Sequence, residues 1–249
     1  NALLVDKQGK VWLGTDGLGL IAFDPSSPKD AKVFGRQDGV LAKKIHCLSQ
    51  DHQGIIWMGT ELGILKYDPL AHRFTKLALP PFAEDEATAI MNMRVKGVFL
   101  IGMRNKGLWL LRSYPDDLCE YEELKPIGGA SIRAVNSLAQ NNDGKIWIGS
   151  ASDGVLEYSS DGEFTNFTAA NGISSDQVLS VLCDREGNVW AGTFLGLEKR
   201  TRADVRRFDL REDGTPTPVW CLLKSQIKNN YILGTERGLY RFNSSGEKV

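Results

Sequence analysis

Few residues in this chain are of the types and spacings that catalysis or metal binding requires. The three histidines, His46, His52 and His72, fall on a predicted first strand, in a hairpin turn and at an outer strand, and none has a second ligand at the spacing of a metal pair. No Gly-x-Ser-x-Gly, Walker loop or His-Glu-x-x-His motif occurs. The sequence therefore predicts no catalytic residues, no bound metal and no cofactor, and we expect a domain that is not an enzyme.

A different set of residues has the variety that specific binding needs. They follow the second strand of successive repeats at similar places but differ in charge, polarity and aromatic character. Because recognition requires unlike polar and aromatic groups on one surface, we expect a ligand or a partner domain to bind there. These residues are Asp16, Glu61, Arg104, Asn105, Asp153, Phe194, Glu236 and Arg237. Arg104, Glu236 and Arg237 are the favoured polar contacts, and the alternative is that each residue is an ordinary solvated turn residue.

These turns are positioned by a tract that occurs six times. Residues 9–15 read Gly-Lys-Val-Trp-Leu-Gly-Thr, and related tracts lie at 54–60, 97–103, 144–150, 187–193 and 229–235. Their second glycines, at positions 14, 59, 102, 149, 192 and 234, are 42 to 47 residues apart. This is the period of a four-stranded propeller blade. The sequence predicts an all-β fold, a β-propeller of four-stranded antiparallel blades, with repeats at approximately 1–40, 41–83, 84–128, 129–173, 174–215 and 216–249, the last incomplete.

Each repeat divides into the same four strands. The first strands are predicted at 2–6, 45–51, 89–93, 134–141, 178–184 and 219–223, and several are followed by an Asp-x-x-Gly turn. The second strand is the Trp-containing tract, which is apolar on consecutive residues and must be covered on both faces. The third strand alternates, and the fourth is predicted at 32–35, 73–77, 118–121, 163–167 and 205–210. We expect no helix longer than two turns, and none over 78–88 or 122–133.

The repeated tryptophans are interpreted as core residues. Trp12, Trp57, Trp147 and Trp190 lie in the middle of second strands, where an indole between blades buries a large apolar area. The alternative, a ladder that stacks on bases or sugars, is less favoured. In the third and sixth repeats an aliphatic residue takes the tryptophan position and an aromatic residue, Phe99 or Tyr231, lies one place earlier. We expect those two blades to pack differently.

Composition excludes several function classes. A formal net charge of −1 offers no general basis for binding nucleic acid, and no apolar run approaches the length of a membrane span. The four cysteines are expected to be buried free thiols, because Cys47 and Cys221 hold equivalent positions four blades apart. Charge runs such as 84–86 and 199–207 are interpreted as solvated faces, with the basic run as an alternative contact surface for another domain.

Residues 184–197 read Asp-Arg-Glu-Gly-Asn-Val-Trp-Ala-Gly-Thr-Phe-Leu-Gly-Leu and follow an Asn-Gly-Ile linker at 171–173. This segment, and nearly as well residues 34–63, resembles the two-component regulator propeller repeat of sensor ectodomains in bacterial hybrid histidine kinases. The resemblance extends over essentially the whole chain but is weaker in the third and sixth repeats, which lack the tryptophan. It implies a seven-bladed propeller, often one of two in tandem, ahead of a β-sandwich, a membrane helix and a kinase or similar output module.

The same resemblance implies a periplasmic ligand-sensing domain of an inner-membrane receptor. The expected partners are a small-molecule or oligosaccharide ligand, neighbouring domains of the receptor and a second receptor in a homodimer. Neither nucleic acid nor direct membrane insertion by this region is expected. Because the chain starts inside a first strand and stops where a fourth strand should begin, we expect it to be part of a longer protein.

Two other function classes remain open. Streptogramin lyases and lactonases are similar repeat propellers, but an enzyme of that kind needs acid and base residues gathered at the channel mouth, which the sequence does not assemble. A protein-interaction scaffold of the WD40 type would carry Gly-His and Trp-Asp pairs in each repeat, and these are absent. The sensor interpretation is favoured over both.

Overall fold

The computed structural model describes residues 2–83, 85–114, 118–126, 132–201, 205–208, 210–211, 214–225, 230–243 and 245. Contacts within the chain divide it into two compact units, Asn1–Leu124 and Lys125–Val249. Each unit holds three antiparallel sheets in which the strands follow one another in chain order. We call the six sheets blades one to six.

The first unit contains blades one to three. Blade one consists of β1 (Ala2–Val5), β2 (Val11–Gly14), β3 (Leu20–Phe23) and β4 (Lys32–Phe34). Blade two consists of β5 (Ile45–Gln50), β6 (Ile56–Thr60), β7 (Gly63–Asp68) and β8 (Arg73–Lys76). Blade three consists of β9 (Ala87–Asn92), β10 (Val98–Met103), β11 (Leu108–Ser113) and β12 (Cys119–Leu124).

The second unit contains blades four to six. Blade four consists of β13 (Val135–Gln140), β14 (Ile146–Ser150), β15 (Val155–Tyr158) and β16 (Phe164–Phe167). Blade five consists of β17 (Val178–Cys183), β18 (Val189–Thr193), β19 (Gly196–Arg200) and β20 (Val205–Phe208). Blade six has three strands, β21 (Val219–Lys224), β22 (Tyr231–Thr235) and β23 (Gly238–Phe242), as expected for an incomplete repeat.

The predicted strands are confirmed with small shifts at their ends. In blade three, the first strand begins at Ala87 instead of 89, and the fourth runs to Leu124 instead of 121. A single helical turn, α1 (Pro80–Ala83), lies within 78–88, where no helix was expected. It stays within the predicted limit of two turns, and its Phe82 side chain is fully buried. Residues 127–131, in the other segment expected to lack a helix, and the turn at Asn229 lie outside the described residues.

The sequence did not predict a shift of register near the start of most first strands. In blades two to six the pairing of the first and second strands slips directly after the first residue, as at a β-bulge. That residue is a fully buried aliphatic in each case: Ile45, Ala87, Val135, Val178 and Val219.

These buried first residues explain the second glycine of the repeated tract. A Cβ added to Gly192 would lie 2.6 Å from the carbonyl oxygen of Val219 in the next blade. At Gly149 an added Cβ would lie 2.9 Å from the Val178 side chain. Any side chain at these positions would push neighbouring blades apart, so the glycine period reports the close approach of one blade to the next.

The predicted burial of the four tryptophans is confirmed. Their exposures are 2%, 2%, 4% and 0% for Trp12, Trp57, Trp147 and Trp190, and each belongs to a core cluster shared with the following blade. Blades three and six pack differently, as predicted. Phe99 and Tyr231 place their rings 4.2 Å and 4.3 Å from the tryptophan of the preceding blade. These aromatic contacts add specific geometry to the apolar burial.

The cysteines are free, as predicted, but one is not buried. Burial raises the pKa of the Cys47 and Cys183 thiols to about 12, which keeps both protonated at neutral pH. Cys119 is half-buried. Cys221 is exposed, because it lies on the face of blade six that no described blade covers.

Candidate ligand-binding face

The residues predicted to bind a ligand lie in the turns between second and third strands. In blades one, two, five and six these turns are closed by the threonine that ends the repeated tract. The Thr60 hydroxyl donates to the Gly63 carbonyl at 2.8 Å and accepts from the Leu62 N–H at 3.1 Å. Thr193 closes the equivalent turn of blade five through the Gly196 carbonyl at 3.0 Å. The threonine therefore sets the path of the turn and brings the variable residues to its tip.

Three of the predicted residues already have partners within the protein. The Glu61 carboxylate accepts the backbone N–H groups of residues 43 and 44, at 2.6 Å and 2.8 Å. Asp153 accepts the Arg133 N–H at 2.8 Å, and the Asn105 side chain donates to Asp85 at 2.8 Å. In each case the turn is tied to the linker that enters the same blade. These contacts assign Glu61, Asn105 and Asp153 a structural role in holding linker and turn together.

Arg104 lies in a cluster of ionisable groups in the first unit. Its Nε atom is 2.6 Å from Glu86 Oε2, and His46 Nε2 lies 3.3 Å from the same oxygen without the alignment of a hydrogen bond. The pKa of His46 is lowered mainly by burial. The charge of Arg104 also lowers this pKa, whereas the charge of Glu86 raises it. His46 is therefore neutral at pH 7. The sequence analysis missed the participation of His46 and Glu86, because one is on a first strand and the other in a linker.

The remaining predicted residues are accessible. Asp16 pairs with Lys44 at 3.5 Å, and both side chains are about half exposed. Phe194 is 45% exposed, and Glu236 is exposed at the tip of its turn. The Arg237 guanidinium donates to the Thr215 hydroxyl at 2.5 Å. Surface pairs of this kind contribute little to stability.

A concavity lies at the opposite end of blades four and five, at the Asp-x-x-Gly type turns between first and second strands. It is a groove of about 340 Å³ lined by nine residues: Asn141, Asp143, Lys145, Trp147, Glu157, Gly187, Val189, Arg200 and Thr201. The sequence analysis assigned no function to this end, because its turns are short and similar. One sequence feature could have pointed to this groove: Asn141 occupies the position at which blades one, two and five have aspartate.

Within the described parts of the chain, no three His, Cys, Asp or Glu residues come together in an arrangement that could hold a metal ion. None of the helices described in the structure has the length and apolar character needed to cross a membrane.

The Two component regulator propeller family model matches residues 39–61 and 172–194. Each segment covers the linker into a blade and that blade's first two strands. Residues 39–61 and 172–194 are thus similar to the two-component regulator propeller repeat. In both blades two and five an Asn/Asp-Gly linker, followed by Val40 in one and Ile173 in the other, precedes an Asp-x-x-Gly turn and a Trp-x-Gly-Thr tract. No curated protein sequence matches the chain.

Solved structures share the fold of these propeller repeats at low sequence identity. A structure described as the extracellular domain of a hybrid two-component system, BT4673 of B. thetaiotaomicron, is 19% identical with a TM-score of 0.71, covering 84% of this chain and 28% of that chain. Virginiamycin B lyase from Staphylococcus aureus is 12% identical with a TM-score of 0.76, covering 100% and 82%. PorZ, a surface component of the type-IX secretion system of Porphyromonas gingivalis, is 16% identical with a TM-score of 0.72, covering 98% and 38%.

These likenesses establish the fold. The chain spans 28% of the length of the BT4673 structure, so the activity of that whole protein does not transfer. The prediction of an all-β propeller with four-stranded antiparallel blades is confirmed by the sheets and by these structures together.

Proposed function

We propose that this chain is the ligand-sensing propeller of an extracytoplasmic receptor domain in a bacterial two-component system. The observation that carries the proposal is the match of two propeller repeats to the Two component regulator propeller family. The shared fold with an extracellular domain described as part of a hybrid two-component system supports it. In this proposal the domain lies in the periplasm, binds a small molecule or an oligosaccharide, and passes the signal through neighbouring receptor domains to a histidine kinase or a similar output module.

We place the binding surface at the turns between second and third strands. Arg104, Glu86 and His46 support this placement, because three ionisable side chains meet there without a structural requirement for all three. Such groups orient a polar ligand through hydrogen bonds. In the second unit, Phe194 exposes an aromatic ring on the turn between the second and third strands of blade five.

A seventh blade completes the proposed propeller. The first strands of both end blades expose apolar side chains on the side away from their described neighbour. Leu3 and Val5 of blade one, and Trp220 and Leu223 of blade six, are each more than half exposed. Exposed apolar patches on a sheet are normally covered by another element. We propose that further blade residues of the longer protein cover these two faces.

An alternative function as an enzyme follows from the fold that this chain shares with virginiamycin B lyase, and it can be tested. At 12% identity the likeness is one of fold. We propose binding without catalysis, and incubation of the protein with a streptogramin B lactone distinguishes the two. Intact substrate after prolonged incubation supports the proposal, whereas linearised product would establish a lyase.

The experiment on the binding surface uses the full-length receptor with a transcriptional reporter. Alanine substitutions of Arg104, Glu236 and Arg237 together are expected to abolish the response to the inducing ligand while the protein folds normally. Lys29→Ala, at an exposed position in the turn between β3 and β4, is the matched control and should respond as wild type. A triple variant with unchanged signalling and unchanged ligand binding would exclude this surface.

A further inference from the structure

In three blades an aspartate, buried in blades two and five and half-buried in blade one, accepts the indole N–H of the tryptophan six residues later. The aspartate lies at the end of the first strand, and the distances from its Oδ2 atom to Nε1 are 2.8, 2.9 and 2.9 Å. The pairs are Asp6 with Trp12, Asp51 with Trp57 and Asp184 with Trp190. The other carboxylate oxygen accepts backbone N–H groups of the turn. Each carboxylate thus satisfies both the turn and the indole.

Blade four breaks this pattern. Asn141 replaces the aspartate, and its Oδ1 atom accepts the Lys145 N–H at 2.9 Å. A backbone N–H can only donate, so the amide oxygen must face it and the amide NH₂ takes the place of the second carboxylate oxygen. The Trp147 side chain is 4% exposed, and its Nε1 has no hydrogen-bond partner among the described residues. A buried donor without an acceptor is uncommon in folded proteins.

The following blade also covers Trp147 in a different way. At the other tryptophan-containing interfaces an aromatic ring of the next blade lies against the indole, with centroid distances of 5.5, 4.2 and 4.3 Å. These rings belong to Tyr67, Phe99 and Tyr231. At the interface of blades four and five the matching positions in the strand pairing hold Val189 and Arg200. The Arg200 guanidinium lies 5.6 Å from the Trp147 ring and 3.6 Å from the Phe167 ring.

Arg200 is a second donor group without an acceptor. It stacks on the two rings but makes no hydrogen bond to a described residue. Burial lowers the pKa of its guanidinium, and Glu157 partly offsets this effect. Because arginine stays charged in proteins, the groove holds a cation whose N–H donors face no anion within hydrogen-bonding distance.

The groove itself has the volume for a small ligand. It measures about 340 Å³, within the lower range of small-molecule sites. Lys145 and Glu157 form an ion pair on its wall. A comparable groove of about 240 Å³ lies beside Trp57, but there Asp51 already accepts the indole N–H. The groove between blades therefore recurs, and the unpaired indole distinguishes the one beside Trp147.

We propose that the groove between blades four and five binds a small organic carboxylate, whose oxygens accept hydrogen bonds from Trp147 Nε1 and the Arg200 guanidinium. The protein satisfies the equivalent indole with a carboxylate in three other blades, so the same group from a ligand completes the fourth. A carboxylate can also accept two parallel hydrogen bonds from the fork of a guanidinium. The indole nitrogen is buried, so the ligand reaches it as the Arg200 side chain moves from the ring to the incoming carboxylate. This site is independent of the proposed sensing surface.

The test uses protein labelled with ¹⁵N at the indole nitrogen of tryptophan and titrated with acetate or D-glucuronate. The Trp147 indole resonance, assigned with Trp147→Phe, is expected to lack the downfield shift of the aspartate-bonded indoles and to move downfield saturably with either carboxylate. D-Glucose, the uncharged counterpart of glucuronate, should leave it unchanged. A Trp147 resonance that is already downfield in the free protein, or that responds to sulfate but not to the carboxylates, would overturn the proposal.

A matched pair of variants separates the site from general charge effects. Asn141→Asp restores the carboxylate of the other blades, and calorimetric affinity for glucuronate should fall by about tenfold or more, as expected for losing hydrogen bonds to a charged group. Asn142→Asp adds the same charge at the neighbouring exposed residue and should bind like wild type. Equal losses in both variants, or equal binding by Asn141→Asp and wild type, would refute the assignment. Asn141→Asp completes a pairing already present in three blades, so loss of folding does not confound the result.

Discussion

The buried carboxylate of Asp184 provides a direct test of what holds neighbouring blades together. Asp184 is 3% exposed, and its Oδ2 atom accepts from Trp190 Nε1 at 2.9 Å and from the Tyr231 hydroxyl at 3.0 Å. It therefore joins blade five to blade six. Substitution by asparagine preserves the shape of the side chain and the bond from the Asn188 N–H to Oδ1. In place of that oxygen an NH₂ group then faces three donors, since the Asn188 side chain also donates to Oδ2, at 2.9 Å.

The expected loss of stability in Asp184→Asn depends on which of these donors can adapt to the amide. The Tyr231 hydroxyl can rotate and accept from the amide, but the indole N–H cannot and is left unpaired. A hydrogen bond to a charged acceptor contributes about 1.5–3 kcal/mol, and leaving a buried donor unpaired costs a similar amount. We expect Asp184→Asn to lower the free energy of unfolding by about 2–4 kcal/mol. For a chain of this size that corresponds to a drop in melting temperature of roughly 5–15 °C.

The assay is urea unfolding followed by tryptophan fluorescence, with comparison of midpoints at unchanged slope. Asn141→Asp is the reciprocal change. It should raise the free energy of unfolding by about 1–2 kcal/mol, and the urea midpoint with it, since it gives Trp147 Nε1 an acceptor. If Asp184→Asn unfolded within about 0.5 kcal/mol of wild type, the range of ordinary surface substitutions, the paired indole would not be a source of stability.

Three further outcomes are expected. Burial holds the pKa of His46 below its usual value near 6.5, so the unfolded state binds more protons and stability should fall as pH drops below 6.5. Urea midpoints at several pH values measure this dependence. His46→Gln should remove part of the slope of stability against pH. Gly63→Ala should prevent folding or sharply lower the melting temperature in a thermal scan, because φ is 96° and an added Cβ would overlap the Phe82 carbonyl oxygen. In the folded 249-residue chain a thiol reagent should modify exposed Cys221 first, whereas Cys47, whose pKa burial raises to about 12, should react only on unfolding; equal rates would show that the Cys47 interface opens freely.

Part of the candidate sites could be predicted from the sequence, and part could not. The turn residues that follow Thr60 and Thr193 were placed correctly, because the tract that precedes them is local and repeats. Which of them are free for binding was not predictable. Glu61 is held by two backbone N–H groups of a linker, and Arg104 by a carboxylate 18 residues away in sequence. Such partners are set by how linkers return across the end of a blade.

The sequence by itself determined the period, the blades and the burial of the tryptophans, because strands, turns and apolar faces are encoded within a few neighbouring residues. Even the substitution of Asn141 for aspartate is visible there. Only the tertiary structure decided that this position faces the indole of Trp147 and that Arg200, from the next blade, covers the same ring. Contacts between blades join residues about fifty positions apart, and no local pattern specifies which oxygen, ring or cation meets a given donor across that interface.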